Sequence, residues 1–123
     1  MKIGFDAKRA FLNRSGLGNY SRSTLRLLSQ FYPDHEYYLF SGNANQSLFQ
    51  PSGSLQSIKP EGMVSGRIPS LWRTWGIYRE IKEQQIDVYH GLSNELPLST
   101  KKSGVKSVVT IHDLIFLRHP EYY

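Results

Sequence analysis

The chain has 123 residues, enough for one domain with a hydrophobic core of its own. It has no cysteine, which excludes disulfide bridges and thiolate metal sites, and no apolar run approaches the ~18 residues that identify a membrane-spanning helix. The formal net charge is +5, with 39% hydrophobic and 20% charged residues, a composition typical of globular proteins.

Positive charge is concentrated in the first 30 residues of the chain. A basic face of this kind attracts phosphate ligands, anionic lipid or nucleic acid. An ordinary solvated surface explains the same excess equally well, because net charge governs association and not fold. The cations of this segment are Lys2, Lys8, Arg9, Arg14, Arg22 and Arg26, and its one acid is Asp6.

The first half of the chain alternates apolar runs with helical periodicity. Residues 2–5 predict a short buried strand, and residues 7–15 a polar, basic loop. From residue 17 to residue 31, apolar side chains recur at three- and four-residue steps, which predicts a helix that ends before Pro33. Residues 37–40 predict a second strand and residues 43–54 a loop.

The second half repeats this alternation. We expect a short third strand at Leu55–Ile58, a mobile loop over 61–67, and a helix from the N-cap Ser70 to about residue 85. The apolar stripe of that helix is predicted to be Leu71, Trp75, Tyr78 and Ile81. The remaining predictions are a fourth strand at 87–89, a loop at 92–104, a fifth and clearest strand at 105–111, and a segment 114–123 that completes no element.

This order of elements predicts an α/β fold, with a Rossmann-like, mostly parallel sheet flanked by helices. The predicted strand order is 3-2-1-4-5, with a ligand crevice where the order reverses, between strands 1 and 4. Polar residues follow the predicted strands, and the carboxyl ends of parallel strands share one edge of the sheet. The residues expected to meet at that edge, beside the loop at 15–20, are Asp6, His90, Asn94, His112 and Asp113.

The loop at 15–20 carries the pattern Gly16-x-Gly18 directly before the first long helix. Open amides at a helix N-terminus suit a phosphate or another anion, and a turn that needs glycine for its conformation is an equally good explanation. A dinucleotide fingerprint is disfavoured, because Ser21 stands where the third glycine should be and no acid follows the second strand.

His112 ends the clearest predicted strand. An imidazole there can donate or accept a hydrogen bond over a reacting centre, whereas a histidine satisfied by backbone is the ordinary alternative. His90 also stands at a predicted strand end and has the same two interpretations. His90, His112, Asp113 and His119 would have to converge from separate loops to hold zinc, so we expect neither a metal nor another cofactor.

The ordered set of motifs resembles the N-terminal domain of family 4 retaining glycosyltransferases with the GT-B architecture. The resemblance spans most of the chain outside residues 43–68. It rests on Ile3-Gly4-Phe5-Asp6-Ala7, Ser15-Gly16-Leu17-Gly18-Asn19-Tyr20, Asp87-Val88-Tyr89-His90-Gly91 with Asn94 and Leu96-Pro97, and Thr110-Ile111-His112-Asp113-Leu114 with His119-Pro120.

The resemblance implies transfer of a hexosyl group, mannosyl or glucosyl as the family-level expectation in surface-polysaccharide assembly, from a nucleotide-sugar to a glycan or lipid-linked acceptor. It implies that Gly16 and Gly18 lie near the donor diphosphate and that His112 reaches the transferred sugar as the catalytic residue. Tyr20, His90, Asn94 and Asp113 carry over as residues that line the crevice. The resemblance also implies that the reaction requires no metal.

Such enzymes have a second, nucleotide-binding domain with a paired-glutamate motif, to which nothing here corresponds. We therefore expect residues 1–123 to be the acceptor-side domain alone and to be inactive in isolation. A cytoplasmic location is expected, with contact to the inner face of the membrane as an open alternative, and nucleic acid is not an expected partner. The rival function is a non-catalytic α/β domain that binds a phosphorylated ligand or an anionic membrane surface.

Overall fold

The computed structural model of the chain describes residues 1–42, 48–59 and 76–122. Its strands are β1 (Lys2–Asp6), β2 (Glu36–Phe40), β3 (Leu55–Ile58), β4 (Val88–Gly91) and β5 (Lys106–Val109). Its helices are α1 (Lys8–Leu12), α2 (Gly16–Phe31), α3 (Ile77–Glu83), α4 (Leu98–Ser103) and α5 (Ile115–Arg118), followed by a 3-10 turn at Pro120–Tyr122.

The five strands form one sheet in the order β3-β2-β1-β4-β5, and all four pairings are parallel. Both the α/β, Rossmann-like fold and the strand order 3-2-1-4-5 are therefore confirmed. The chain adds β2 and β3 on one side of β1, and then β4 and β5 on the other side. The order reverses between β1 and β4, which is where open parallel sheets bind ligands, outside the carboxyl ends of their strands.

Alternating side chains of β2 pack into two hydrophobic cores, one on each face of the sheet. Tyr37 and Leu39 pack with Phe5, Phe11 and other residues on the face that α1 and α2 cover. On the opposite face, a second cluster consists of Tyr38, Phe40, Ile77, Ile81, Ile86 and Tyr89. Because successive strand residues point to opposite faces, a strand between two helical layers buries both sets, as β2 does.

Helix α2 is fastened at its two ends. At the C-terminal end, the Tyr37 hydroxyl reaches the carbonyl oxygens of Leu28 and Tyr32, at 3.0 and 2.7 Å. At the N-terminal end, Asn13 Oδ1 accepts the Gly18 amide at 3.3 Å. The Arg22 guanidinium adds bonds to the carbonyl oxygens of Ala10 and Asn13 at 2.9 and 2.8 Å, and to Asn19 Oδ1 at 2.7 Å. The helix is thus tied both to β2 and to α1.

Three segments predicted to lack regular structure contain short helices. The predicted loop at 7–15 holds α1, because Ala7, Ala10 and Phe11 form a helical stripe that is buried against the sheet. The predicted loop at 92–104 holds α4, which begins after Pro97 and ends at Gly104 with φ 71°. The predicted featureless segment 114–123 holds α5 and the 3-10 turn.

The prediction of the apolar stripe for the helix at 70–85 is wrong at Tyr78. Tyr78 is 37% exposed, whereas Ile77 and Ile81 are buried at 1% and 2% and supply the core contact of α3. The predicted N-cap Ser70, with Leu71 and Trp75, lies outside the described residues, as does the predicted loop at 61–67. The predicted loop at 43–54 is described from residue 48 onward and has no helix or strand there.

The fifth strand is shorter than its Val-rich pattern predicts. It covers Lys106–Val109 within the predicted range 105–111, and all four of its residues are exposed at the edge of the sheet. The residues that follow it leave the strand conformation at Thr110. Residues 110–113 therefore lie at the carboxyl edge of the sheet without being part of a strand.

Candidate functional site

The segments that follow β4 and β5 are joined by backbone hydrogen bonds. The Thr110 amide donates to the Gly91 carbonyl, and the Asn94 amide donates to the Thr110 carbonyl, each at 2.9 Å. Both segments therefore run side by side beyond the carboxyl ends of β4 and β5. They lie at the edge of the sheet where ligands bind in open parallel sheets, beside the predicted crevice between β1 and β4.

The Thr110 hydroxyl joins two predicted site residues. Its Oγ1 lies 2.8 Å from His90 Nε2 and 3.3 Å from the Tyr20 hydroxyl. The His90 ring also lies against the Phe5 ring, with centroids 5.6 Å apart. Burial lowers the pKa of His90 from its ordinary 6.5, so the neutral imidazole is the form present at pH 7. The arrangement is a neutral hydrogen-bonding chain that runs from β4 to α2.

His112 is held by two hydrogen bonds and one ring contact. Its backbone amide donates to Asn94 Oδ1 at 2.9 Å, and its Nε2 lies 2.8 Å from the Leu92 carbonyl oxygen. The ring packs edge-to-face on Tyr20, with centroids 4.8 Å apart and an interplanar angle of 87°. The structure thus brings Tyr20, His90, Asn94 and His112 into one cluster, which we call the crevice cluster and which includes Thr110.

The glycine loop adjoins the crevice cluster through Tyr20, in the second turn of α2. Gly18 is buried, and a Cβ on it would lie 1.8 Å from the Asn13 carbonyl oxygen. A Cβ on Gly16 would meet nothing within 4 Å, and neither glycine has a positive φ. Close packing of α2 on α1, and not an unusual backbone conformation, is therefore what requires glycine at position 18.

The two glycine amides differ in what they offer an anion. The Gly18 amide already donates to Asn13 Oδ1. The amides of Gly16 and Leu17 have no hydrogen-bond acceptor among the residues that the structure describes. Any anion at this helix end would therefore meet Gly16 and Leu17, next to Tyr20.

Two predicted acids lie at the same edge but make other contacts. Asp6 lines a polar cavity of about 40 Å³ with Lys8, Arg9, Ser93 and Glu95, and its Oδ1 accepts the Lys8 amide at 3.2 Å. Asp113 is exposed, and its Oδ1 accepts the Ile115 amide at 3.3 Å at the start of α5. A cavity of this volume has room for only a few water molecules, which is too little for a sugar.

Two residues of the site were missed by reasoning from the sequence. Thr110 joins His90 to Tyr20, and Asn13 takes the amide of Gly18. The signal for Thr110 was its place at the end of a predicted strand, two residues before His112. Asn13 gave a weaker signal, a short polar side chain shortly before the helix that can accept backbone amides.

Two further findings concern metals and membranes. In the described ranges 1–42, 48–59 and 76–122, no three histidine or carboxylate side chains are grouped where they could hold a metal ion. His119, considered above as a ligand, pairs with Glu121 at 3.0 Å. No helix in the described part of the chain has the length and apolar character needed to cross a bilayer.

Comparison with known proteins finds no protein-family model and no curated protein that matches this chain.

Proposed function

We propose that this chain is the acceptor-side domain of a retaining glycosyltransferase of GT-B architecture. In this proposal the full protein moves a hexosyl group, mannosyl or glucosyl, from a nucleotide-sugar to a glycan or lipid-linked acceptor. The observation that carries it is the crevice cluster, in which His112, from the segment after β5, contacts Tyr20 of α2 at the carboxyl edge of the sheet.

The chemistry of the crevice cluster supports a ligand rich in hydroxyl groups. A neutral His90, a threonine hydroxyl and a tyrosine hydroxyl exchange hydrogen bonds within it, and such groups can donate to or accept from sugar hydroxyls. The nearby amides of Gly16 and Leu17 offer donors for a diphosphate at the positive end of a helix. A sugar diphosphate presents both kinds of group.

The roles follow from these positions. His112 would contact the transferred sugar, and the start of α2 would lie against the donor diphosphate. The nucleoside would be bound by a second domain, so the proposal assigns no nucleoside pocket to these residues. A protein that uses a nucleotide-sugar in this way would work in the cytoplasm, where such donors are available.

The test uses His112→Ala in the protein that joins this domain to a nucleotide-sugar-binding domain. We expect turnover to fall on the order of 10²-fold, the usual cost of one lost transition-state contact, while acceptor binding stays unchanged. His119→Ala is the matched control, since its exposed ring pairs with Glu121 instead of the crevice cluster. Equal turnover in the two variants would contradict the role of His112.

A non-catalytic domain that binds a phosphorylated ligand is the second candidate. The open amides of Gly16 and Leu17 favour it, together with the cations Lys8 and Arg9 at the same edge. Titration of the chain with a nucleoside diphosphate and with inorganic phosphate, followed by amide NMR shifts, tests this phosphate site. Binding without turnover, in a reading frame that has no second α/β domain after residue 123, would favour this candidate.

A further inference from the structure

The hydrogen bond between His112 and Leu92 determines which ring nitrogen carries a hydrogen. A carbonyl oxygen can only accept, so at 2.8 Å the His112 Nε2 must be the donor. In the neutral imidazole one nitrogen donates and the other accepts. The neutral ring of His112 is therefore the Nε2–H form, and Nδ1 is its acceptor.

Nδ1 of His112 is open to a ligand. No group among the described residues forms a hydrogen bond with it, and it is not one of the buried polar atoms that lack a partner. The edge-to-face contact with Tyr20 limits rotation of the ring. The ring thus offers one acceptor nitrogen in a fixed orientation.

Asn94 fixes the backbone that carries this ring. It has φ 58°, a left-handed conformation that asparagine tolerates better than most residues. In that conformation its amide donates to the Thr110 carbonyl, and its side-chain Oδ1 accepts the His112 amide, each at 2.9 Å. Both bonds are made to the segment that carries His112, on either side of Ile111.

We propose that Asn94 is a positioning residue for His112, and that Asn94 and the Leu92 carbonyl together present Nδ1 as a hydrogen-bond acceptor for a ligand hydroxyl. The identity of that ligand as a sugar rests on the function proposed above. The positioning itself rests only on the bonds described here, so the two can fail separately.

The experiment measures the imidazole ¹⁵N shifts of His112 in the chain at about pH 8.5. We expect an unprotonated nitrogen at Nδ1 and a protonated one at Nε2. Asn94→Gly keeps the left-handed backbone and removes the acceptor, so the two shifts should move toward a common average. Asn94→Asp keeps both the acceptor and the tolerance for positive φ, so it should restore the pattern of the unmodified protein.

A merely structural role for Asn94 would lower stability without changing the tautomer. Urea midpoints of both variants are therefore measured beside the spectra. Unchanged ¹⁵N shifts in a folded Asn94→Gly variant would refute the positioning role. If that variant does not fold, Asn94→Asp and the unmodified chain still test the proposal, because an unprotonated Nε2 in either of them would overturn it.

The two-domain protein separates this inference from the proposed function. Asn94→Gly should lower kcat on the order of tenfold or more, as misplacement of a contacting group does, and Asn94→Asp should recover most of the loss. Absence of turnover in the unmodified two-domain protein alongside the expected ¹⁵N shifts would leave the positioning intact and refute the proposed function.

Discussion

Replacement of Gly18 by alanine tests the packing of α2 on α1 most directly. The new Cβ would lie 1.8 Å from the Asn13 carbonyl oxygen, 2.7 Å from the carbonyl carbon and 3.0 Å from the Arg9 carbonyl oxygen. All three are backbone atoms, so no side-chain rotation relieves the contact. To bring the shortest distance to 3.0 Å, the start of α2 must move away from α1 by about 1.2 Å.

The expected cost combines three contributions. Overpacking of this kind costs about 1–3 kcal/mol, and a contact with rigid backbone belongs at the upper end. Loss of the Gly18–Asn13 hydrogen bond adds about 1 kcal/mol. The higher helix propensity of alanine returns about 1 kcal/mol. We therefore expect Gly18→Ala to lower the free energy of unfolding by about 2–3 kcal/mol.

Urea unfolding followed by circular dichroism measures this loss, with Gly16→Ala as the matched control. Gly16 lies in the same turn with open space around it, so its replacement should leave the unfolding free energy within about 0.5 kcal/mol. In thermal unfolding, Gly18→Ala should lower Tm by roughly 6–15 °C for a domain of this size. Equal midpoints for the two variants would refute the packing explanation.

Three further predictions concern stability. The pKa of His90 is lowered in the folded state, so between that pKa and 6.5 the unfolded chain binds a proton at His90 and the folded chain does not. The free energy of unfolding should therefore fall as the pH drops below about 6.5. Urea midpoints measured from pH 8 to 5 test this, and His90→Gln should remove part of the slope. Gly91→Ala should destabilise the chain by about 1–3 kcal/mol in the same assay, because its Cβ would lie 2.0 Å from the Glu95 carbonyl oxygen, and a neutral result would show that the turn after β4 can shift freely. Arg22→Lys should cost about 1–2 kcal/mol, since one ammonium cannot keep all three guanidinium bonds, and an unchanged midpoint would show that water replaces them.

The sheet was predictable because its signals are local and repeated. Strands such as β2 are apolar on both faces, and α2 is long enough for its helical period to stand out. The short helices were missed because a single turn gives no period: α1 has only Ala10 and Phe11 buried within it. Tyr78 was misplaced because an aromatic side chain suggests burial, while Ile77 beside it occupies the core position.

The position of the candidate site in the fold was predictable from the sequence, whereas the hydrogen bonds between its residues were not. The strand order alone places His90, Asn94 and His112 at one edge of the sheet. That Thr110 lies between His90 and Tyr20 depends on where β5 ends, which differs from the predicted end by two residues. Asp113 follows His112 directly, yet its carboxylate accepts the Ile115 amide at the start of α5, because a short acidic side chain accepts nearby amides before distant ones.

The fastening of α2 at both ends has a thermodynamic consequence. Burial raises the pKa of Tyr37, so its hydroxyl remains a donor to the end of the helix at any physiological pH. Asn13 and Arg22 link the other end of α2 to α1 by hydrogen bonds. Tyr20 is therefore part of a helix whose position is fixed at both ends. A ligand that binds beside Tyr20 contacts a surface that is already ordered, so the protein should lose little conformational entropy on binding. The protection of α2 amides from hydrogen exchange should therefore be the same with and without the ligand.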